Sequence, residues 1–437
     1  MRGLAAALLL LLAATLPARA EIEIQTVTSP GGITAWLYEV HDIPILNIEA
    51  SFRGGAVLDP VGQEGATDLM ASLLGSGAGG LDASAFAEAR ETLAARLSFG
   101  AGRDEVSVSA AMLTENRAAS LDLLRQALIA PRFDQDAFAR VRGQRASGLR
   151  SDETDPDRLA SRAFGEKVFA GHPYARPVEG TPDSVAALDV AAIRAAHAAA
   201  LTRDRLLVSV AGDITADELG PILDEVFGDL PATGPPLPPV ATVDADGSVS
   251  VIDLDIPQSL VVFGHGGFSR DDPDYMPAMV LDHILGGGGF GSRLTDEVRE
   301  RRGLTYGIYT YLAPNDLGAL YMGRFASANA RVAEAIAIVR DEWQRAAAEG
   351  VTAEELHAAQ RYLTGAYPLR YDGNGRIADQ LLSLQISGLS PDYVTKRNAL
   401  IEAVTLDDIR RVARRLLQPE ALTWVVVGRP EGVEATN

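Results

Sequence analysis

The sequence predicts an α+β protein built as two similar halves, each a mixed sheet with helices packed on one face. Three observations carry that prediction. The chain repeats itself, its strand-like and helix-like stretches do not alternate strictly, and a proline-rich stretch separates the copies. In one copy Val190–Ile214 reads VAAIRAAHAAALTRDRLLVSVAGDI; in the other Leu406–Pro430 reads LDDIRRVARRLLQPEALTWVVVGRP. Ile193-Arg194 and Ile409-Arg410 precede Gly212 and Gly428 by the same interval. Each segment has apolar positions at helical spacing, then a short turn, then a β-rich run ending in glycine.

The starts of the copies also correspond. ILNIEASFRGG (Ile45–Gly55) and IPQSLVVFGHGG (Ile256–Gly267) are both strand-like and both lead through polar turn residues into a helix. Asp104–Leu113, DEVSVSAAML, alternates apolar and polar residues, the pattern of a strand with one buried face. LTENRAASLDLLRQALIAP then turns helical, and LTYGIYTYLAPNDLGALYMGRFAS reads as a hairpin around Pro314-Asn315-Asp316. Between the copies, DLPATGPPLPPVATVDADG places five prolines from Pro231 to Pro239, excluding helix and central strand. The expected organisation is residues 21–230, a linker at 231–247, and residues 248–437.

The first twenty residues, MRGLAAALLLLLAATLPARA, are of another kind. Arg2 precedes an apolar run from Ala5 to Leu16, and Ala18-Arg19-Ala20 forms a small-residue cleavage site, so this is a secretory signal. The run is too short for a comfortable membrane span, and no later stretch has the length. Of 437 residues, 47% are apolar and 22% charged, enough to bury a large interior. The net charge of −20 becomes −22 once Arg2 and Arg19 leave. That acidity argues against nucleic acid and anionic membranes, which need Lys/Arg clusters, and suits solubility or attraction of basic peptides. The chain has no cysteine, so disulfide and thiolate chemistry are excluded. Export without disulfides suits a bacterial periplasm.

Four stretches together, FRGGAVLDPVGQEGATDLMASLL, HPYARPVEGTPDSVAAL, the VAGDI strand end and LGGGGFGSRLTDEVRERRGLTYGIYTYL, give the chain a family likeness. It resembles the pitrilysin/insulinase-like zinc peptidases (M16), in particular the short-subunit M16B branch related to mitochondrial processing peptidase, over nearly all of its length after the signal. The resemblance implies duplicated domains of the M16/LuxS-like metallohydrolase type, closing face to face around a peptide chamber. Active members carry His-x-x-Glu-His on the first helix. Two histidines one turn apart grip zinc, a distant glutamate completes the site, and the motif's glutamate activates water.

In this chain Asp68 stands at the first histidine, Ala71 at the base, Ser72 at the second histidine and Gly148 at the distant glutamate. Alanine accepts no proton and glycine offers no ligand. Asp68 and Ser72 do not make a zinc site, and Asp68 reads rather as a helix N-terminal residue facing the dipole. The expectation is a chain that binds no metal and is inactive alone. In the second half, Arg299 near a helix end, Gly303 as its stop and Tyr306 at the next strand match the arginine/tyrosine pair that the family brings opposite the zinc. By resemblance Tyr306 donates to the scissile carbonyl or developing oxyanion and Arg299 adds fixed charge. Without the resemblance, Arg299 beside Glu297 and Glu300 is a solvated helix end.

GGGGFGSR, with Gly286, Gly287, Gly288 and Gly289, lacks the Gly-Lys-Ser/Thr ending of a phosphate loop and any dinucleotide signature. It is expected to be a flexible loop between two helices, lining the chamber and touching substrate. The six histidines, His41, His172, His197, His265, His283 and His357, show no i,i+4 pair, and His172 in HPY shapes a turn. The strand Glu105–Ala111 offers either an edge for an extended peptide or a core strand. The leading expectation is a zinc-lacking subunit that binds peptides or unfolded protein and completes the site of a zinc-motif-bearing M16 partner. The rivals are an inert scaffold or peptide-binding homologue, and a zinc protease with unusual ligands.

Overall fold

The computed structural model describes residues 23–436, so the leader-like residues 1–20 lie outside the described part. The chain forms a six-stranded and a five-stranded sheet. The first sheet has the order β1-β2-β6-β3-β5-β4, from β1 (Gln25–Thr28), β2 (Thr34–Glu39), β3 (Ile45–Arg53), β4 (Arg96–Ala101), β5 (Glu105–Leu113) and β6 (Leu206–Gly212). The second has the order β7-β11-β8-β10-β9, from β7 (Val249–Ile252), β8 (Gln258–Gly266), β9 (Ile308–Ala313), β10 (Leu320–Ala328) and β11 (Thr423–Val427). Leaving out β1, the orders superpose strand for strand. Each has one parallel pair, β2 with β6 and β7 with β11, among antiparallel neighbours. The repeat seen in the residues is a repeat of topology.

The helices of the first half are α1 (Ala66–Leu73), α2 (Ala83–Thr92), α3 (Arg117–Ile129), α4 (Gln135–Asp152), α5 (Pro156–Val168), α6 (Pro182–Ala187), α7 (Val190–Ala200) and α8 (Ala216–Phe227). Those of the second are α9 (Tyr275–Asp282), α10 (Val332–Glu349), α11 (Ala353–Ala366), α12 (Asn374–Ile386), α13 (Tyr393–Glu402) and α14 (Leu406–Leu416). Their starts are chemically marked. Thr215/Glu218, Thr352/Glu355 and Thr405/Asp408 form reciprocal capping boxes, and Asp189 accepts from Ala192 N at the head of α7. The equivalent strands β6 and β11 end on Gly212 and Gly428, at φ 134° and 144°. A Cβ at Gly212 would sit 2.1 Å from Ile45 O, so only glycine lets β3 start there.

Alternation along β3 builds two faces. Leu46, Ile48, Ala50 and Phe52 point into a core shared with Leu69 and Met70 of α1, Leu121 and Leu124 of α3 and Ile193 of α7. The opposite face carries Asn47, Glu49 and Ser51, yet it is not left to solvent: α12, from the second half, lies on it. Trp36 and Ala211 meet Ile377, Ala378 and Leu381 there, and Ser209 Oγ donates to Ala378 O at 2.6 Å. The second sheet repeats the plan. Val261, Phe263, Trp424 and Val426 face Trp343 of α10 and Ile409 and Val412 of α14. Leu260, Val262, Val425 and Val427 meet Ala160, Phe164 and Val168 of α5 from the first half.

As expected, each half packs its own helices on one face of its sheet, and the far face is covered as well. Each half covers one face of its own sheet and lends a helix to the far face of the other. Burial on both sides explains why β11 is buried throughout and β3 nearly so. The proline-rich segment joining the sheets contains no helix or strand but is tied down on both sides. Arg203 N donates to Pro231 O (2.9 Å), Ala241 N to Leu317 O (2.6 Å) and Asp244 N to Val168 O (2.9 Å). Near the turn containing HPY, His172 accepts from Tyr174 N through Nδ1 (3.1 Å) and donates to Pro239 O through Nε2 (2.8 Å). His172 thus shapes its turn and also anchors the connection.

Candidate functional site

The helix α1 is placed by glycine and a distant cap. Gly65, at φ 91°, precedes it and offers no side chain to its free N–H groups. Asp59 takes that role, accepting from Gly65 N and Thr67 N at 3.0 Å each and from Thr67 Oγ1 at 2.5 Å. Burial pushes the Asp59 carboxyl up to about 6 despite these donors and Arg176. Ala66, Leu69, Met70, Ala71 and Leu73 are buried in the core. Ser72 is exposed, one turn beyond Asp68.

Asp68 is not a solvated helix-end residue facing only the dipole. It is 9% exposed, and its carboxylate lies 2.5 Å from the Arg145 guanidinium on α4. The contact is an ion pair without a well-aligned hydrogen bond at Oδ2. Burial pushes Asp68 up to about 6, Arg145 opposes this, and the Glu179 carboxylate adds to it. Gly148 follows Arg145 by one turn of α4, and a Cβ there would meet nothing within 4 Å. The position has room for a ligand and supplies none.

The donor set at this place is one carboxylate held by an arginine, one exposed hydroxyl and an empty glycine position. It does not fit zinc, which takes deprotonated N, O or S ligands in closed or three-ligand sets. Among the described residues no group of three or more His, Asp or Glu side chains is arranged to hold a metal ion. Arg145 is the residue that sequence reasoning missed. Its signal was the i,i+3 spacing to Gly148, which sets the two near one another along the helix.

In the second half, Thr295 and Val298 are buried and fix the wide-turned helix Thr295–Glu300 on which Arg299 sits. Gly303, at φ 60°, stops it, with its N–H donating to Arg299 O at 2.9 Å. Tyr306 follows, 88% exposed, two residues before β9 begins. The Arg299 guanidinium lies 3.3 Å from Glu300 and 4.4 Å from the Phe290 ring centroid. Among the described residues no ion pair or hydrogen bond joins Arg299 or Tyr306 to Asp68 or Ser72.

The glycine-rich stretch is corrected from flexible loop to wound helix. Gly286 and Gly287 end the wide turn His283–Gly287, and Gly289–Gly291 form a 3-10 turn. Cβ atoms at Gly286 and Gly287 would lie 2.4 Å from Thr310 Oγ1 and 2.3 Å from Asp282 Oδ2. At Gly288 the obstacle would be His283 O at 2.4 Å, whereas Gly289 is open and adopts φ 59°. Glycine is needed here for close packing against β9. The turn presents Phe290, 76% exposed, to Arg299. The candidate edge strand is also corrected: β5 is paired on both sides, and β4 is the edge on that end of the sheet.

Two sheets of one topology define a duplicated α+β protein, and its first helix offers an arginine-paired aspartate, an alanine and an exposed serine. Residues 187–363 match the peptidase M16 inactive domain. The non-peptidase homologue YmxG of Helicobacter pylori is 26% identical over 390 residues, covering 89% of this chain and 90% of that one. An uncharacterised zinc protease of Streptomyces coelicolor is 27% identical over 404 residues, covering 90% and 87%. The crystal structure of a peptidase M16 inactive domain from Pseudomonas fluorescens matches with a TM-score of 0.87 at 27% identity, over 95% of this chain and 99% of that one. In sequence and fold the chain is similar to inactive-type members of the M16 peptidase family.

Proposed function

We propose that this chain is the non-metal-binding subunit of a heterodimeric zinc metallopeptidase exported to the periplasm of a Gram-negative bacterium. A zinc-motif-bearing M16 partner holds the metal, and this chain binds peptide or unfolded protein and contributes Arg299 and Tyr306. The division into halves at 21–230 and 248–437, joined by 231–247, belongs to the same proposal. One observation carries it: α1 has lost every ligand while the second half keeps an exposed Tyr306 seven residues after Arg299. When the scissile carbonyl oxygen of the peptide gains charge, a phenol and a guanidinium aimed at it stabilise that charge by a few kcal/mol each. Gly286–Gly289 would shape the substrate side through Phe290.

Co-purification with the partner, followed by peptide cleavage assays, tests this. Turnover should appear only in the mixture, and Tyr306→Phe and Arg299→Ala should each lower kcat by about 10- to 100-fold. Unchanged turnover in both variants refutes the shared site. A second proposal, an inert peptide-binding scaffold, is favoured by the tie of Arg299 to Glu300 and Phe290. It predicts that the pair of substitutions leaves turnover untouched while removal of this chain still lowers it.

A further inference from the structure

Beside the Asp68–Arg145 pair lies a cavity of about 350 Å³, within the range of about 300–1,000 Å³ usual for ligand clefts. Its walls are the end of α4, the start of α5, the segment 174–182 and the turn between β4 and β5. Glu179 links it to that pair, since its carboxylate acts on Asp68 and pairs with Arg158 at 3.1 Å.

Four arginines line this cavity in a chain whose net charge is −20. Arg158 and Arg162 are matched by Glu179 and Glu166. Of the other two, Arg176 forms a longer ion pair with Glu64, and neither has all its donors engaged. Arg103 makes no ion pair among the described residues, its Nε is buried without a hydrogen-bond partner, and its guanidinium is held 5.1 Å from the Tyr174 ring centroid. Arg176 has a buried Nη1 without a hydrogen-bond partner, 3.6 Å from Glu64. A guanidinium N–H left unbonded away from water costs free energy that an incoming acceptor returns. Of the three lining carboxylates, Glu179 is engaged by Arg158, Asp152 is half-buried and Glu153 is exposed, where water and salt screen it.

We propose that this cavity is a carboxylate pocket of the peptide-binding surface, in which an acidic side chain or the C-terminal carboxylate of a bound peptide accepts from Arg103 and Arg176. The pocket rests on the assignment of this chain as a peptide binder and adds a preference that its overall acidity would not suggest. Arg is the fitting residue because its planar fork meets a carboxylate with two parallel donors.

The test is a set of fluorescence anisotropy titrations of the signal-free chain at low salt with three short, N-acetylated peptides. One has a central glutamate and an amidated end, one a central glutamine and an amidated end, and one a central glutamine and a free C-terminal carboxylate. At least one acidic peptide should bind about tenfold or more tighter than the neutral peptide. The tighter arm identifies side chain or terminus. Arg103→Gln and Arg176→Gln should each remove most of that preference and leave the neutral peptide's affinity unchanged. Melting curves of both variants establish that they fold, and the wild-type comparison needs no variant. Equal binding of all three peptides overturns the pocket and leaves the peptide-binding assignment standing. Variants that weaken the neutral peptide equally also overturn it. Binding of none of them overturns both.

Discussion

Asp68 and Arg145 form an ion pair between two helices, with the aspartate buried. A carboxylate that is 9% exposed cannot stay ionised cheaply, and a guanidinium from the neighbouring helix supplies the compensating charge. Removing only the arginine should therefore be worse than removing both charges. Arg145→Met is expected to lower stability by about 1–3 kcal/mol near pH 7.5, read from urea unfolding midpoints. Asp68→Asn/Arg145→Met together should cost less. Because Asp68 titrates at about 6 in the folded chain, against 3.8 for an ordinary aspartate, it is mostly neutral there at pH 5. The Arg145→Met penalty should accordingly shrink at that pH. An equal loss at both pH values, with no relief in the double variant, would mean that the pair does not bear the charge assigned to it.

Helices α5 and α12 are the elements on which the architecture turns. Each is amphipathic towards a sheet that is not its own, and α5 inserts Phe164, 1% exposed, between Leu260, Val262 and Val425 of the second sheet. Deleting a buried ring of this kind costs about 3–5 kcal/mol. Phe164→Ala should show that loss, and amide hydrogen exchange should quicken more in β8 and β11 than in β3 and β6. That pattern locates the damage in the other half of the molecule, which a helix serving its own sheet would not produce. The ion pair between Asp157 on α5 and Arg324 on β10 ties the same contact at its polar edge.

For the molecule as a whole, the contact between halves carries a titratable group. Glu49 on β3 lies under α12, accepts from Ser109 Oγ at 2.8 Å and feels Asp379 of that helix. Burial is the main cause of its rise to about 7 from 4.5. A raised folded value means that its stabilisation is complete below about 4.5 and is lost as pH rises through about 7. Asp59, Asp68 and Asp282, each at about 6, act in the same direction. His265, lowered to about 4 by burial, acts in the opposite direction, its contribution being present above 6.5 and lost towards 4. Since His265 contributes little change between pH 8 and 7, Glu49 and His41 share that interval. The exposed His41 is raised by hydrogen bonds to Asp213 and Glu39 and acts in the same direction as Glu49. Glu49→Gln should raise Tm at pH 8 and flatten the fall of Tm between pH 6.5 and 8, by differential scanning calorimetry. A parallel, merely displaced curve would assign the slope to other groups.

Much of this protein was written locally. The duplication, the strand ends at Gly212 and Gly428 and the capping boxes follow from residue identity and short-range spacing, because periodicity and donor chemistry act over a few residues. What lay beyond reach was set by contacts between residues far apart in the chain. Arg145 meets Asp68 only because α4 packs beside α1, and α12 covers β3 only because the halves close on one another. The glycine-rich stretch looked mobile in isolation, but the nearness of Thr310 and Asp282 makes it a tight helix. The residues alone therefore determined the duplicated α+β plan and the side chains offered along α1. Tertiary structure decided which charge meets Asp68, which strand is an edge and which sheet each helix serves, since long-range packing selects among partners that local pattern leaves equivalent.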